Sequence, residues 1–451
     1  MTGATVLRAL ADRAPALLRE PPFRRYWTGH TVSLFGDQVT FLAIPLTAVL
    51  VLHADAAEMS GLSVAGLLPA LLFSLAAGAR ADRRGRRRRT MIAADLGRAA
   101  LIASIPVGYA LGHLTLIQLY LVAFAVGTLS AVFDVCDAAL FVALVEPARY
   151  VEGNALTNGS RAFSFVAGPS VGGLLVQALA APVALLTDAL SYLVSARQLG
   201  RIDPVEPPAT RAEKGHIMAG LRFIGRSPVL RALLGGAATV NFFNFVFHTL
   251  VVLYAVDQLG LNAGTLGVVI GAGAVGGLIG AVCTGRIARA IGVGPTALLG
   301  YLGFPAPLLL VPLAGGPHWL VLGAFFTAEF ASGFGVMLLD ITAGSVKAAL
   351  VPDALRSRVS GAMGTVNYGM RPLGALAAGV LAGPLGLRPT LWVATVGGVL
   401  SVLWLLPSPL PRMRELPAKP PDPAASPPPK DAAAHHAAAH HATGEPGADS
   451  G

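Results

Sequence analysis

The chain has 451 residues, 54% of them hydrophobic and only 13% charged, with a mean hydropathy of +0.65 and a net charge of +9. A soluble domain carries roughly 25% charged residues, so this chain lacks the charge to cover a water-facing surface, and a soluble enzyme is excluded. Its basic residues fall in short clusters between apolar runs, which orients membrane helices and leaves no basic face for nucleic acid.

A membrane span needs about 20 apolar residues. The first apolar run follows Arg24-Arg25-Tyr26-Trp27 and is long enough to cross, so it reads as a first helix and not as a cleaved leader. Five more runs complete a first set near 28–52, 61–79, 90–111, 115–145, 153–180 and 182–199. After a polar stretch come six others, near 229–256, 263–287, 295–314, 318–350, 359–382 and 389–406. The expected fold is therefore an all-α polytopic membrane protein of about twelve transmembrane helices in two six-helix pseudo-repeat bundles. Its parts are an arm (1–27), an N-terminal bundle (28–200), a central loop (201–228), a C-terminal bundle (229–407) and a tail (408–451).

Every second loop is basic, from Arg24 and Arg25 through Arg83, Arg84 and Arg86–Arg89 to Arg222, Arg286 and Arg356. That bias places both termini in the cytoplasm of a plasma-membrane protein. The tail is rich in proline and alanine and reads as disordered; its histidines, His435, His436, His440 and His441, read as solvated, with weak metal holding as the alternative. Cys136 and Cys283 lie in different halves and form neither a disulfide framework nor a metal set.

Ionisable side chains inside spans carry the functional argument, because each costs a few kcal/mol at the bilayer centre unless paired or hydrated. Those singled out are Asp37, Asp134, Asp137, Arg161 and Asp188 in the first half, and Glu329, Asp340 and Arg371 in the second. Asp37, Asp134, Asp137, Glu329 and Asp340 are the proton-coupling candidates; Arg161 and Arg371 are the ion-pair candidates. Asp137 precedes the turn at Arg149 by 12 residues and Arg161 follows it by 12, so the two reach matching depth. They form either a static bridge or a pair that opens as one carboxylate binds a proton. Asp37 and Glu329 find no basic partner in their own spans.

Span seven gathers Asn241, Phe243, Asn244 and His248, a mix of rings and amides that suits an amphipathic organic substrate; lipid-facing packing is the alternative. His248 is taken as the one histidine inside a core span, which gives a membrane hydrolase no catalytic set. Gly271-Ala272-Gly273-Ala274-Val275-Gly276 matches a dinucleotide fingerprint but sits inside an apolar helix with no preceding strand, so it reads as close packing. No phosphate-cradling Gly-x-x-x-x-Gly-Lys occurs. No cofactor or metal is expected.

Gly78-Ala79-Arg80-Ala81-Asp82-Arg83-Arg84-Gly85-Arg86-Arg87 resembles the signature loop between the second and third helices of the major facilitator superfamily. Phe23-Arg24-Arg25-Tyr26-Trp27, Gly36-Asp37, Asp188-Ala189-Leu190-Ser191-Tyr192 and Arg371-Pro372-Leu373-Gly374 are similar to its enterobactin-exporter and macrolide-efflux branch. The resemblance implies that Gly78, Asp82, Arg83, Gly85 and Arg86 form a gating loop whose aspartate joins the halves when the cavity opens outward. Gly168, Pro169, Gly172 and Gly173 resemble a Gly-Pro-x-x-Gly-Gly element of antiporting exporters, implying a hinge; small-residue packing is the alternative. Two departures stand out. Many exporters of the family carry an arginine in span four, where this chain has Asp134 and Asp137, and the second-half echo Gly285-Arg286-Ile287-Ala288-Arg289 lacks an aspartate.

Proton-driven export of a small amphipathic molecule by a monomer in the bilayer is what the resemblance implies. The alternatives are an importer or lysolipid mover and, from another class, a membrane sensor or membrane-embedded enzyme.

Overall fold

A computed structural model describes residues 15–84, 86–204 and 217–416, with the backbone alone at 74–84, 217, 219 and 354. The tail histidines and Gly85 lie outside the described residues. Twelve long helices occur among them. The first six are α1 (Pro21–Leu50), α2 (Ala56–Arg84), α3 (Arg87–Ala110), α4 (Leu116–Leu144), α5 (Tyr150–Leu179) and α6 (Ala181–Gly200). The second six are α7 (Pro228–Asp257), α8 (Ala263–Ile291), α9 (Val293–Leu313), α10 (His318–Leu350), α11 (Asp353–Leu385) and α12 (Leu387–Trp404). Ten are long and apolar enough to cross a membrane; α6 and α11 are more polar and pack in the same bundles.

Local chemistry sets the helix ends. The side chains of Thr115, Ser227 and Asn262 accept from the backbone N–H three residues on, capping α4, α7 and α8. Gly292 and Gly386, with φ of +99° and +86°, let the chain reverse after α8 and α11 where a side chain would be strained. Helix α9 is not continuous: it stops at Gly303 and resumes as a single turn at Leu310–Leu313. Pro305 and Pro307 lack the N–H groups a helix needs there. The stretch expected as a central loop also holds a helix, Ile217–Arg226, whose Gly220 and Ile224 press onto the start of α11 and α7.

Within the first bundle α1 packs on α5 and α6, α3 on α4 and α6, and α2 on α4. In the second, α10 packs on α8 and α9, and α7 on α11 and α12. Two seams join the bundles, α5 against α8 and α2 against α11. Both are tight at the end away from the termini. Ser60 Oγ donates to the Ala375 carbonyl at 2.6 Å, and a Cβ on Gly173 would stand 2.5 Å from the Ala263 carbonyl oxygen.

The buried cores follow the same division. At the far end one continuous core takes Leu46, Ile102 and Leu185 from the first bundle with Leu250, Leu266 and Phe325 from the second. At the terminal end it separates in two, Phe23, Met91 and Leu140 in one and Leu230, Tyr301 and Leu405 in the other. The molecule is therefore closed at the far end and parted at the terminal end, where the described chain begins and stops.

Candidate functional site

The polar centre of the first bundle is built where one turn of α1 meets one turn of α6. The Tyr192 hydroxyl donates to Asp37 Oδ1 at 2.5 Å, the Thr40 hydroxyl donates to Asp188 Oδ2, and Ser191 Oγ donates to Asp188 Oδ1 at 2.9 Å. Gly36 leaves the space for this: a Cβ there would lie 2.2 Å from both Asp188 Oδ1 and Ser191 Oγ.

Behind that turn stands Arg98 of α3. It pairs with Asp95 one turn back, and its guanidinium lies between the rings of Phe133 at 4.4 Å and Tyr192 at 4.3 Å. Asp95 and Arg98 are both buried. Neither was singled out from the sequence, although an acid and a base three residues apart inside an apolar run is a legible helical pair. Asp134 of α4 is exposed, within electrostatic range of Asp37, Arg98, Asp137 and Arg161.

Asp137 and Arg161 are brought to one pocket but not into contact. Asp137 accepts from the Tyr26 hydroxyl at 2.9 Å and lies 3.8 Å from His30 Nδ1. Arg161 is exposed in the same pocket, outside ion-pair distance. A direct Asp137–Arg161 bridge is thus absent among the described residues, and Tyr26 holds Asp137 Oδ1 from the α1 side. His30 lies inside α1 and is buried, which corrects the reading of His248 as the one histidine in a core span.

In the second bundle Arg371 of α11 rests on the rings of Tyr368 at 4.6 Å and Phe245 at 5.2 Å, and Asp340 of α10 is exposed within its electrostatic range. Each half thus sets a carboxylate on its fourth helix near an arginine on its fifth, with no direct pairing in either.

Between the bundles, beneath the far-end core, lies a cavity of about 330 Å³. Its wall is apolar, with Phe41, Met59, Val252, Ile270 and Phe325 drawn from both halves. Glu329 of α10 and His248 of α7 are its ionisable side chains, and Thr40, which bonds Asp188, forms part of the wall. Of the substrate-cavity candidates, His248 faces this space. Phe243 and Asn244 do not: they line a gap toward α9 and α12, and Phe243 lies against Gly397. The Asn241 amide turns back to the Ala237 carbonyl at 2.9 Å. Helical rotation explains the correction, since on α7 it is Phe245, His248, Thr249 and Val252, spaced by three and four, that share the cavity face.

The sequence profile described as Major Facilitator Superfamily matches residues 26–375. The chain belongs to the Major Facilitator Superfamily. It is also 29% identical over 409 residues to the multidrug efflux pump Tap of Mycolicibacterium fortuitum, covering 84% of this chain and 93% of that one. The pump of the same name from Mycobacterium tuberculosis is 28% identical over 415 residues, with 85% and 92% covered. Among solved structures, the nucleoside transporter NupG superposes with a TM-score of 0.70 at 11% identity, covering 86% of this chain and 99% of that one. A bacterial homologue of the iron transporter ferroportin, in an inward-facing state, gives 0.69 at 17%, covering 87% and 99%. These likenesses make the chain a multi-pass membrane transporter with the two-bundle facilitator fold, related to efflux pumps.

In this facilitator-superfamily transporter the expected gating loop is only partly visible. Gly78, Asp82 and Arg83 fall on the last turns of α2, where side chains are outside the described residues, as is all of Gly85; Arg86 is exposed and its carbonyl accepts the Thr90 N–H as α3 begins. The Gly168–Gly173 element is where α5 is pinched between two helices. Gly168 and Gly172 face Gln38 and Val39 of α1, while Gly173 and the Pro169 carbonyl face Gly267 of α8.

Proposed function

We propose that the protein is a proton-coupled exporter of small amphipathic molecules, working by alternating access as a monomer in the plasma membrane with both termini cytoplasmic. The observation that carries this reading is the central cavity. An apolar, ring-bearing chamber shared by two bundles accepts the body of an organic molecule, and its one carboxylate, Glu329, stands on the side opposite a carboxylate-rich centre that Thr40 joins to the wall.

That centre supplies the coupling. Asp37, Asp95, Asp134 and Asp188 gather around the single guanidinium of Arg98. Four carboxylates set around this guanidinium leave the centre with more acidic groups than cations at membrane depth, and a carboxylate kept at that depth is the kind of group that can exchange a proton. With the terminal end facing the cytoplasm, the conformation described is the one that admits cargo from inside.

The test is a pH jump on proteoliposomes carrying Asp37→Asn, Asp134→Asn or Glu329→Gln. The coupling site, once neutralised, loses uphill efflux and keeps downhill exchange, whereas loss of a structural group lowers both together. Substrate-dependent proton flux at the unaltered ratio in all three variants would overturn proton coupling through these residues.

A further inference from the structure

A second pocket, of about 350 Å³, opens between α1, α4 and α5 nearer the terminal end, separate from the central cavity. It is polar. Its first wall is a triad of buried Tyr26 and His30 with half-buried Asp137: His30 lies against Tyr26, the rings 5.8 Å apart and inclined by 17°, and the Tyr26 hydroxyl donates to Asp137 Oδ1. Asp137 Oδ2 has no protein donor among the described residues. The opposite wall is one face of α5, with Asn154, Asn158 and Arg161 at spacings of four and three. The guanidinium of Arg161 has no hydrogen-bond or ion-pair partner among the described residues.

Opposite charges that face one pocket without touching can be engaged together by a ligand that carries both signs. We infer that this pocket binds the zwitterionic head of an amphipathic cargo, its ammonium on Asp137 and its carboxylate on Arg161 and the adjoining amides. Tyr150 and Phe141, which line the same space, receive the apolar part next to the head. The assignment rests on the transport reading for its role as the place where cargo first docks, but the binding itself is measured without transport.

Three probes with one indole ring separate the charge requirement from ring packing: tryptophan, tryptamine and indole-3-propionate, titrated against the full-length protein in nanodiscs at pH 7. Tryptophan is expected to bind about ten-fold more tightly than either singly charged probe, one charged contact being the difference. Arg161→Gln should bring tryptophan down to the level of tryptamine, and Asp137→Asn to that of indole-3-propionate. Because Arg161 is exposed, its variant remains a folded test should Asp137→Asn fail to express. Equal binding of all three probes, or a tryptophan preference that survives Arg161→Gln, overturns the assignment. Tight charge-selective binding in a protein that moves no cargo leaves the pocket standing and removes the exporter reading instead.

Discussion

The contact between Gly36 and Asp188 gives a sharp residue-scale test. A methyl group at residue 36 would meet two polar atoms at 2.2 Å, and α1 would have to retreat from α6 or Asp188 lose its bonds. Overpacking of this kind costs about 1–3 kcal/mol. Gly36→Ala should therefore lower the melting temperature in detergent, while Gly159→Ala, with no atom within 4 Å of the added carbon, should not. The Arg98–Asp95 pair gives a second. Removing one partner of a buried pair leaves a stranded charge at a cost of about 3–5 kcal/mol. Arg98→Gln alone should thus destabilise more than Arg98→Gln with Asp95→Asn, and a double-mutant cycle in thermal unfolding checks it; additive losses would show that the two charges do not interact. Of this centre, Asp37 and Asp188 were legible as charges out of place in apolar runs. Their bonding was not, because which hydroxyl meets which carboxylate depends on how α1 and α6 turn toward each other, and single-helix periodicity does not fix that.

At the scale of elements the hydrocarbon thickness did most of the specification. A run must cover the bilayer whatever its neighbours are, so most of the helices were readable as apolar runs, and the tenth, expected at 318–350, is His318–Leu350 as found. Less legible were features that depend on a partner: the break in α9, the short helix before α7, and the face α7 turns to the cavity. The glycine element of α5 belongs here too. Its pattern marked the place, but whether it bends or packs is decided by α1 and α8 on either side. Gly173→Ala would put its new carbon 2.9 Å from the Gly267 Cα and wedge α5 from α8 at the far seam. The expected result is a shift toward the far-end-open state. It is read as faster thiol labelling of Val269→Cys, buried on α8 beside the cavity, in a chain whose Cys136 and Cys283 are replaced by serine. An unchanged labelling rate would mean that the seam tolerates the methyl and that the element is ordinary packing.

For the whole molecule, one shared core at the far end and two at the terminal end imply that transport requires the shared core to divide. Rocking of two rigid bundles exchanges one closed end for the other, so a covalent clasp across the far seam should stop the cycle without unfolding the protein. Ser60 of α2 and Gly379 of α11 offer the place, since a Cβ on Gly379 would stand 2.6 Å from that of Ser60. Disulfide-bonded Cβ atoms prefer about 3.8 Å, so Ser60→Cys with Gly379→Cys closes a bond once the helices part by roughly 1 Å. In the serine background for Cys136 and Cys283, the oxidised protein should retain its fold and still bind cargo from the terminal side, yet transport nothing; dithiothreitol should restore transport. Those three readouts separate a locked transporter from a damaged one. A cross-linked protein that continues to move cargo would show that the far seam does not open during the cycle, and that release takes some path other than the division of the shared core.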